Sequence, residues 1–178
     1  RFPTAVDKLP SERGHFYGPP PALLHETDPD ALVETMLAAG DVGLTEMGAN
    51  QVVIVRSEAC KDRLPVELRA GLSLTVEESK GLEFDDVCVY NFVSESPAGR
   101  DSAGRELWLV LSGAVEFDKH RHLLLEEELK ALYVALTRAR KRCFIFDRDV
   151  EARTPLFETL AARGVAEKGA EQQLSVRA

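Results

Sequence analysis

The strongest constraint in this sequence is a set of short runs that are apolar at consecutive positions. "QVVIV" (51–55), "DVCVYNF" (86–92) and "RCFIFD" (142–147) show no polar alternation through their centres. An alternating strand buries one face, whereas a continuously apolar strand needs cover on both, as in a parallel sheet flanked by helices. "LSLT" (72–75) and the short run in "PALLHE" (21–26) are two further strand candidates. Helical stretches separate them. In "DPDALVETMLAAG", Asp28 suits an N-cap and Pro29 the first helical position. Leu32, Met36 and Leu37 share a face there, and Gly40 ends the run. The longest helix is expected from about His122 to Arg140, with Leu125, Leu129, Leu132, Tyr133 and Leu136 as its apolar stripe. "TPLFETLAARG" reads as a short helix with Thr154 as N-cap and Gly164 as stop, and "SESPAGRDSAGREL" as a surface loop. Alternating strands and helices imply an α/β fold, mostly parallel, with helices on the sheet faces.

Domain boundaries follow composition. Residues 1–20 are rich in Pro, Gly and charge and read as an extended connector from a missing upstream domain, 21–164 as the folded domain, and 165–178 as a disordered tail. With no initiator Met and no apolar signal core, the chain reads as a piece of a longer polypeptide. No transmembrane run occurs, so no membrane partner is expected. Cys60, Cys88 and Cys143 are scattered and odd in number, which favours reduced thiols in an intracellular protein, nuclear or cytoplasmic. The net charge of −8 argues against nonspecific nucleic-acid binding by the whole surface, although "RARKR" (138–142) is a dense basic cluster. That cluster reads more readily as a solvated helix end than as a groove. His120 and His122, two residues apart, fall on different helix faces, and no metal site is expected from the chain.

Ligands of open α/β sheets collect beyond the carboxyl ends of the strands. Arg56 and Ser57, the Thr75–Glu83 segment and Arg138 are the candidates for that rim. A turn built on Lys80-Gly81, a carboxylate and an arginine suit a phosphate-bearing ligand. Glycine admits close backbone approach, arginine offers a planar fork, and a carboxylate accepts from a ribose hydroxyl. There is no G-x-x-x-x-G-K-[ST] loop, no G-x-G-x-x-G fingerprint, and no acidic pair after an apolar strand; Asp85 and Asp86 precede theirs. The chain alone cannot assemble a nucleoside-triphosphate site.

"TVEESKGLEFDDVCVYNF" followed by "EEELKALYVALTRARKRCFIF" resembles two paired signatures of UvrD-like superfamily 1 DNA helicases, and "VVIVRSEACKDRL" resembles the strand before them. The resemblance spans roughly residues 50 to 148. It implies the second RecA-like motor domain of a P-loop NTPase. Such a domain closes over ATP held mainly by a first RecA-like domain of the same polypeptide, with Mg2+ held there too. Single-stranded nucleic acid, DNA in this family, runs across both. By the resemblance Arg138 is the catalytic arginine that reaches the γ-phosphate, neutralising charge in the transition state. Gly81 backs the phosphates and Glu83 contacts the ribose, while Thr75, Arg56, Ser57 and position 77 lie along the nucleic-acid track. The implied activity of the intact protein is ATP-driven translocation or helicase action, with the fragment alone inactive.

Two departures qualify this reading. The family commonly has His where Glu77 stands, and an acid there repels phosphate. Only 18 residues, Ser57 to Leu74, separate the second strand from Thr75, so the large inserted 2B domain is absent. Together with "EESKGLEFDDV" and the opening "RFPTAVDKLPSERGHFYGP", they make the chain resemble the large TPR- and ankyrin-repeat-associated helicase-like proteins of eukaryotes. They keep two alternatives open: a non-unwinding nucleotide-sensing or scaffold domain of a large repeat protein, and the motor domain of a nuclease-helicase.

Overall fold

The computed structural model describes residues 18–39, 48, 50–97, 102–118 and 120–168. In chain order the elements are β1 (Ala22–Leu24), α1 (Pro29–Ala39), β2 (Gln51–Val55), α2 (Glu58–Lys61), α3 (Val66–Ala70), β3 (Ser73–Thr75) and β4 (Phe84–Tyr90). There follow α4 (Phe92–Glu95), α5 (Ser102–Ser112), α6 (Leu123–Leu136), β5 (Ala139–Phe146), α7 (Val150–Ala162) and β6 (Glu167–Lys168). The strands form one sheet in the order β3-β2-β4-β5-β1-β6, and every neighbouring pair is parallel. This is the α/β architecture that the continuous apolar runs predict.

Those runs are buried on both sides. Val52, Ile54, Val87, Val89, Cys143 and Ile145 face one core, with residues of α4, α5, α6 and α7. Val53, Val55, Cys88, Tyr90, Phe144 and Phe146 face the other, with Leu32 of α1, Cys60 of α2, Leu64 of the turn after it and Leu68 of α3. Burial pushes the Cys143 thiol up to about 12 and raises that of Cys88 further still, so both are packing residues with protonated sulfur.

The capping expectations hold at two ends. Asp28 accepts from the Asp30 amide at 3.0 Å ahead of α1. Gly164, at φ 64°, closes α7 with Gly164 N–H on Ala161 O and Val165 N–H on Leu160 O, a Schellman arrangement. Gly40, the expected stop of α1, lies outside the described residues, as does most of the expected connector.

Other boundaries move, each for a local reason. Thr154 is not the cap of α7; Asp149 is, accepting from Ala152 N–H at 3.0 Å, while Thr154 bonds back to Val150 O inside the helix. β4 stops at Tyr90 because Asn91 adopts φ 50°, a left-handed conformation asparagine tolerates, and Phe92 opens α4. The expected 94–107 loop contains α4's end and the start of α5, whose apolar half (Trp108, Val110, Leu111) is buried. α6 ends at Leu136, earlier than expected, and four of the five residues in "RARKR" open β5 instead of ending a helix. Phe84 pairs with Ala139, and Phe84 N–H donates to Arg138 O at 2.9 Å, so the ladder captures the chain just past the helix. Tyr133, expected in the apolar stripe, is exposed, and buried Ala135 occupies the inner face. Residues 167–168, expected in the tail, pair with β1, so the sheet extends beyond position 164.

Candidate functional site

The parallel sheet separates the candidate residues into two groups, where the sequence predicts one rim. Arg56 follows the carboxyl end of β2 and Thr75 ends β3, so both stand on the carboxyl rim. Glu83 precedes β4 and Arg138 precedes β5, so both stand at the opposite, amino edge. From Phe84 to Tyr90 the strand rises roughly 20 Å at about 3.3 Å per residue, which sets the separation. Two of the crossovers lead to the amino-edge candidates. One is the Val76–Glu83 connection from β3 to β4; the other is α6, which descends towards β5.

At the amino edge the structure brings Arg138 against the turn that holds Gly81 and Glu83. Arg138 Nη1 donates to Leu82 O at 3.1 Å, and Nη2 to Thr137 Oγ1 at 3.1 Å. Its Nε and the Thr137 hydroxyl both donate to Val134 O, at 3.0 Å each. A carbonyl left open at the end of α6 is thereby satisfied, and a cation sits where the helix dipole is negative. All these acceptors are neutral. Among the described residues Arg138 has no carboxylate partner, and three of its five N–H donors are used. Two N–H groups, one on each Nη, remain for an anion. Glu83 is exposed and has no partner among the described residues. Gly81 is at φ 79° with open space around it, so its requirement is the left-handed turn and not close approach by a neighbour.

The rest of "RARKR" is neutralised. Arg142 makes a bidentate pair with Asp86, Nε at 2.6 Å and Nη2 at 2.7 Å, and Gln51 donates to the same carboxylate at 3.1 Å. Lys141 and Arg140 both face Asp85, at 2.9 and 3.8 Å. The two aspartates that begin β4 thus serve as counter-ions to β5. Arg138 is the cation they leave out.

On the carboxyl rim Arg56 and Lys61 are closed off by carboxylates. Side chains alternate along β2, so Arg56 points to the same face as Val52 and Ile54, under α6. There Glu128 meets it: Arg56 Nε lies 2.9 Å from Oε2 and Nη2 2.5 Å from Oε1. The Glu128 side chain is 1% exposed and that of Arg56 24%. Hydrogen bonding to Glu128 raises Arg56 above even its ordinary range, against the effect of burial. Removing one partner of such a buried pair costs about 3–5 kcal/mol. A screened contact to one phosphate returns about 1 kcal/mol or less.

The turn after β3 is closed in a similar way. Thr75 is buried, and with Glu78 it makes the reciprocal bonds of a capping box without a helix to follow. Thr75 N–H donates to Glu78 Oε2 at 2.8 Å, and Glu78 N–H to Thr75 Oγ1 at 3.2 Å. Lys61 of α2 pairs with Glu78 and also with Glu58 at 3.0 Å. The Lys61 ammonium, with help from the Thr75 amide, holds the Glu78 carboxyl at about 2. Glu77 pairs with Lys80 on the exposed side of the turn. Ser57 caps α2 by position, its hydroxyl 3.0 Å from Cys60 Sγ. His122 Nδ1 accepts from Asp118 N–H at 2.9 Å, and no group of three metal-capable side chains occurs among the described residues.

Residues 70–147 match the UvrD-like helicase C-terminal domain family. Over that segment the chain is similar to a UvrD-like helicase C-terminal domain. That segment runs from the end of α3 to the residue after β5, so it includes both the Gly81–Glu83 turn and Arg138. The wider chain is similar to the human TPR and ankyrin repeat-containing protein 1, with 35% identity over 194 residues. The match takes in 91% of this chain and 6% of that protein's length. A solved structure of the C-terminal domain of a possible DNA helicase from Lactobacillus plantarum is also similar, at 19% identity and a TM-score of 0.45. It covers 73% of this chain and 74% of the other.

Sequence reading named the amino-edge residues but missed the partners that hold the rim residues. The Thr75-x-x-Glu78 spacing is a readable capping signal. Glu128 recurs with Leu125, Leu132 and Ala135 on the inner face of α6, and that register marks it as a buried acid in need of a cation.

Proposed function

We propose that this domain is the second motor half of an ATP-driven translocase or helicase acting on single-stranded nucleic acid, DNA by the family's habit. It would close over a nucleotide bound chiefly by a first RecA-like domain of the same polypeptide. One feature carries the reading: Arg138 is held beside the Gly81–Glu83 turn by neutral acceptors only, with two N–H groups to spare. ATP fits this edge, since a carboxylate without a counter-ion can accept from a ribose hydroxyl and an unpaired guanidinium can meet phosphate oxygen. Arg138 would stabilise charge developing on the transferred phosphoryl group, and Glu83 would orient the sugar. Magnesium would be held by the first domain. The site of action would be intracellular, in nucleus or cytoplasm.

In the polypeptide carrying both motor domains, Arg138→Ala should lower ATP turnover by about 10³-fold, with ATP affinity changed only a few-fold. Turnover should rise with single-stranded DNA in the unaltered protein. Equal loss of binding and turnover in the variant would contradict the arginine's role.

A second reading is favoured by the rim. Thr75, Arg56 and Lys61, which a nucleic-acid track would need, are all engaged with Glu78, Glu128 or Glu58. A domain that senses nucleotide without unwinding would tolerate that closure. Intact ATP binding with no stimulation by single strands would favour this alternative.

A further inference from the structure

We infer that Arg56 and Glu128 act together as a positioning pair that sets the axial placement of α6, and through it the placement of Arg138. This rests on the ATPase reading above and changes the role of Arg56 within it, from a nucleic-acid contact to a support for the arginine at the opposite edge.

Arg56 is anchored by β2, whose five residues are all buried, so its backbone is a fixed point. Glu128 sits on the second turn of α6, and the bidentate pair fixes both the height and the rotation of the helix against the sheet. From Glu128 to Leu136 the helix rises about 12 Å as a continuous hydrogen-bonded rod. At its end, Val134 O takes the Nε of Arg138, and the Arg138 amide bonds to Ala135 O at 3.3 Å. A slip of α6 along its axis therefore displaces Arg138 relative to Leu82 and Glu83, which belong to the other connection. Phosphoryl transfer is sensitive to displacements of about 1 Å, so the supporting contact is worth retaining.

The same pair explains why Arg56 does not serve the nucleic-acid track. Releasing it to a phosphate would strand a carboxylate that is 1% exposed. That loss exceeds the gain from one solvent-screened contact. Arg56 is instead the residue type that the pairing needs, since a lysine cannot make the two-pronged contact.

The test uses the polypeptide with both motor domains and the variants Glu128→Gln and Arg56→Lys. For a positioning pair, Glu128→Gln lowers ATPase kcat about 10-fold or more, with the KM for ATP changed less than about 3-fold. It leaves single-stranded DNA affinity and its salt slope unchanged. Were Arg56 a nucleic-acid contact, the same substitution would free it, tightening DNA binding and steepening the slope by about one. Arg56→Lys separates the roles again. Lysine serves a phosphate contact almost as well as arginine, but as a partner for Glu128 it should lower kcat measurably. If Glu128→Gln does not fold, Arg56→Lys decides alone. Unchanged kcat in Arg56→Lys overturns the inference, as does a shifted salt slope in either variant. Amide exchange at Phe84 and Arg138 gives a readout independent of turnover: faster exchange in the variants supports the pair, and unchanged exchange overturns it. A protein without ATPase activity before substitution would refute the proposed function, while exchange and DNA binding would still judge the pair.

Discussion

The meaning of an acidic residue in this domain depends on its partner, and Glu77 and Glu78 make the contrast. Glu77 lies on the exposed side of its turn with Lys80. Glu78, also exposed, bends back along the chain to accept from the Thr75 amide and hydroxyl and from Lys61. Its carboxyl is depressed from an ordinary 4.5 to about 2, chiefly by Lys61. A depressed carboxylate supports the fold above its unfolded value, and that support fades as pH falls through the folded one. The Thr75–Glu78 turn should therefore loosen between about pH 4.5 and 2, and nothing near neutrality should disturb it. A carbon-detected NMR titration of the Glu78 carboxyl checks this. Lys61→Met should move the midpoint back towards 4.5; a midpoint that stays at about 2 would assign the depression to the Thr75 amide instead.

Between elements, buried charge decides more than the sequence pattern discloses. Asp86 is 3% exposed on β4, and its counter-ion Arg142 reaches across from β5. Arg142→Met should destabilise the domain by about 3 kcal/mol by stranding that carboxylate. The shift should appear as a lower urea midpoint at constant m, followed by the fluorescence of the single tryptophan, Trp108. Adding Asp86→Asn to it should recover part of the loss. This pairing also marks the limit of sequence reading. The strands were legible because Val52 to Val55 and Val87 to Tyr90 are apolar whichever way they face. The family resemblance singled out Gly81, Glu83 and Arg138, which the fold brings to one edge. Invisible were the features set by tertiary placement. Asp85 and Asp86 neutralise Lys141 and Arg142 across a strand pair, 56 residues apart in sequence. Parallel topology puts Arg138 and Arg56 at opposite edges, although an expectation based on strand ends places them together. The helix in 102–112 was hidden by its polar first half, since only its later residues carry an apolar face.

For the molecule as a whole, the family match at residues 70–147 is smaller than the unit that folds. That segment contains β3, β4 and β5, but β3 does not pair with β4. β2 lies between them, with Val53 to Val55 paired to Ser73 to Thr75 on one side and Gln51 to Ile54 paired to Asp86 to Val89 on the other. On the far side, β5 needs β1, which pairs through Ala22 to Leu24. α7 supplies Arg153, buried, which donates to the carbonyls of Leu24, Glu26 and His25 and so ties the end of β1 to the helix. Without residues 18–69 and 148–168, β4 and β5 would form an isolated pair with unpaired edges and a core open on both faces. A chain of residues 70–147 should therefore show a gradual, non-cooperative urea response. Residues 18–168 should give one sigmoidal transition, with Trp108 moving from a buried to a solvated emission maximum. Both contain Trp108, so the same signal compares them directly. A sharp transition in the shorter chain would mean that β3 can reach β4 without its intervening strand, and that the sheet order is not what makes the domain cooperative.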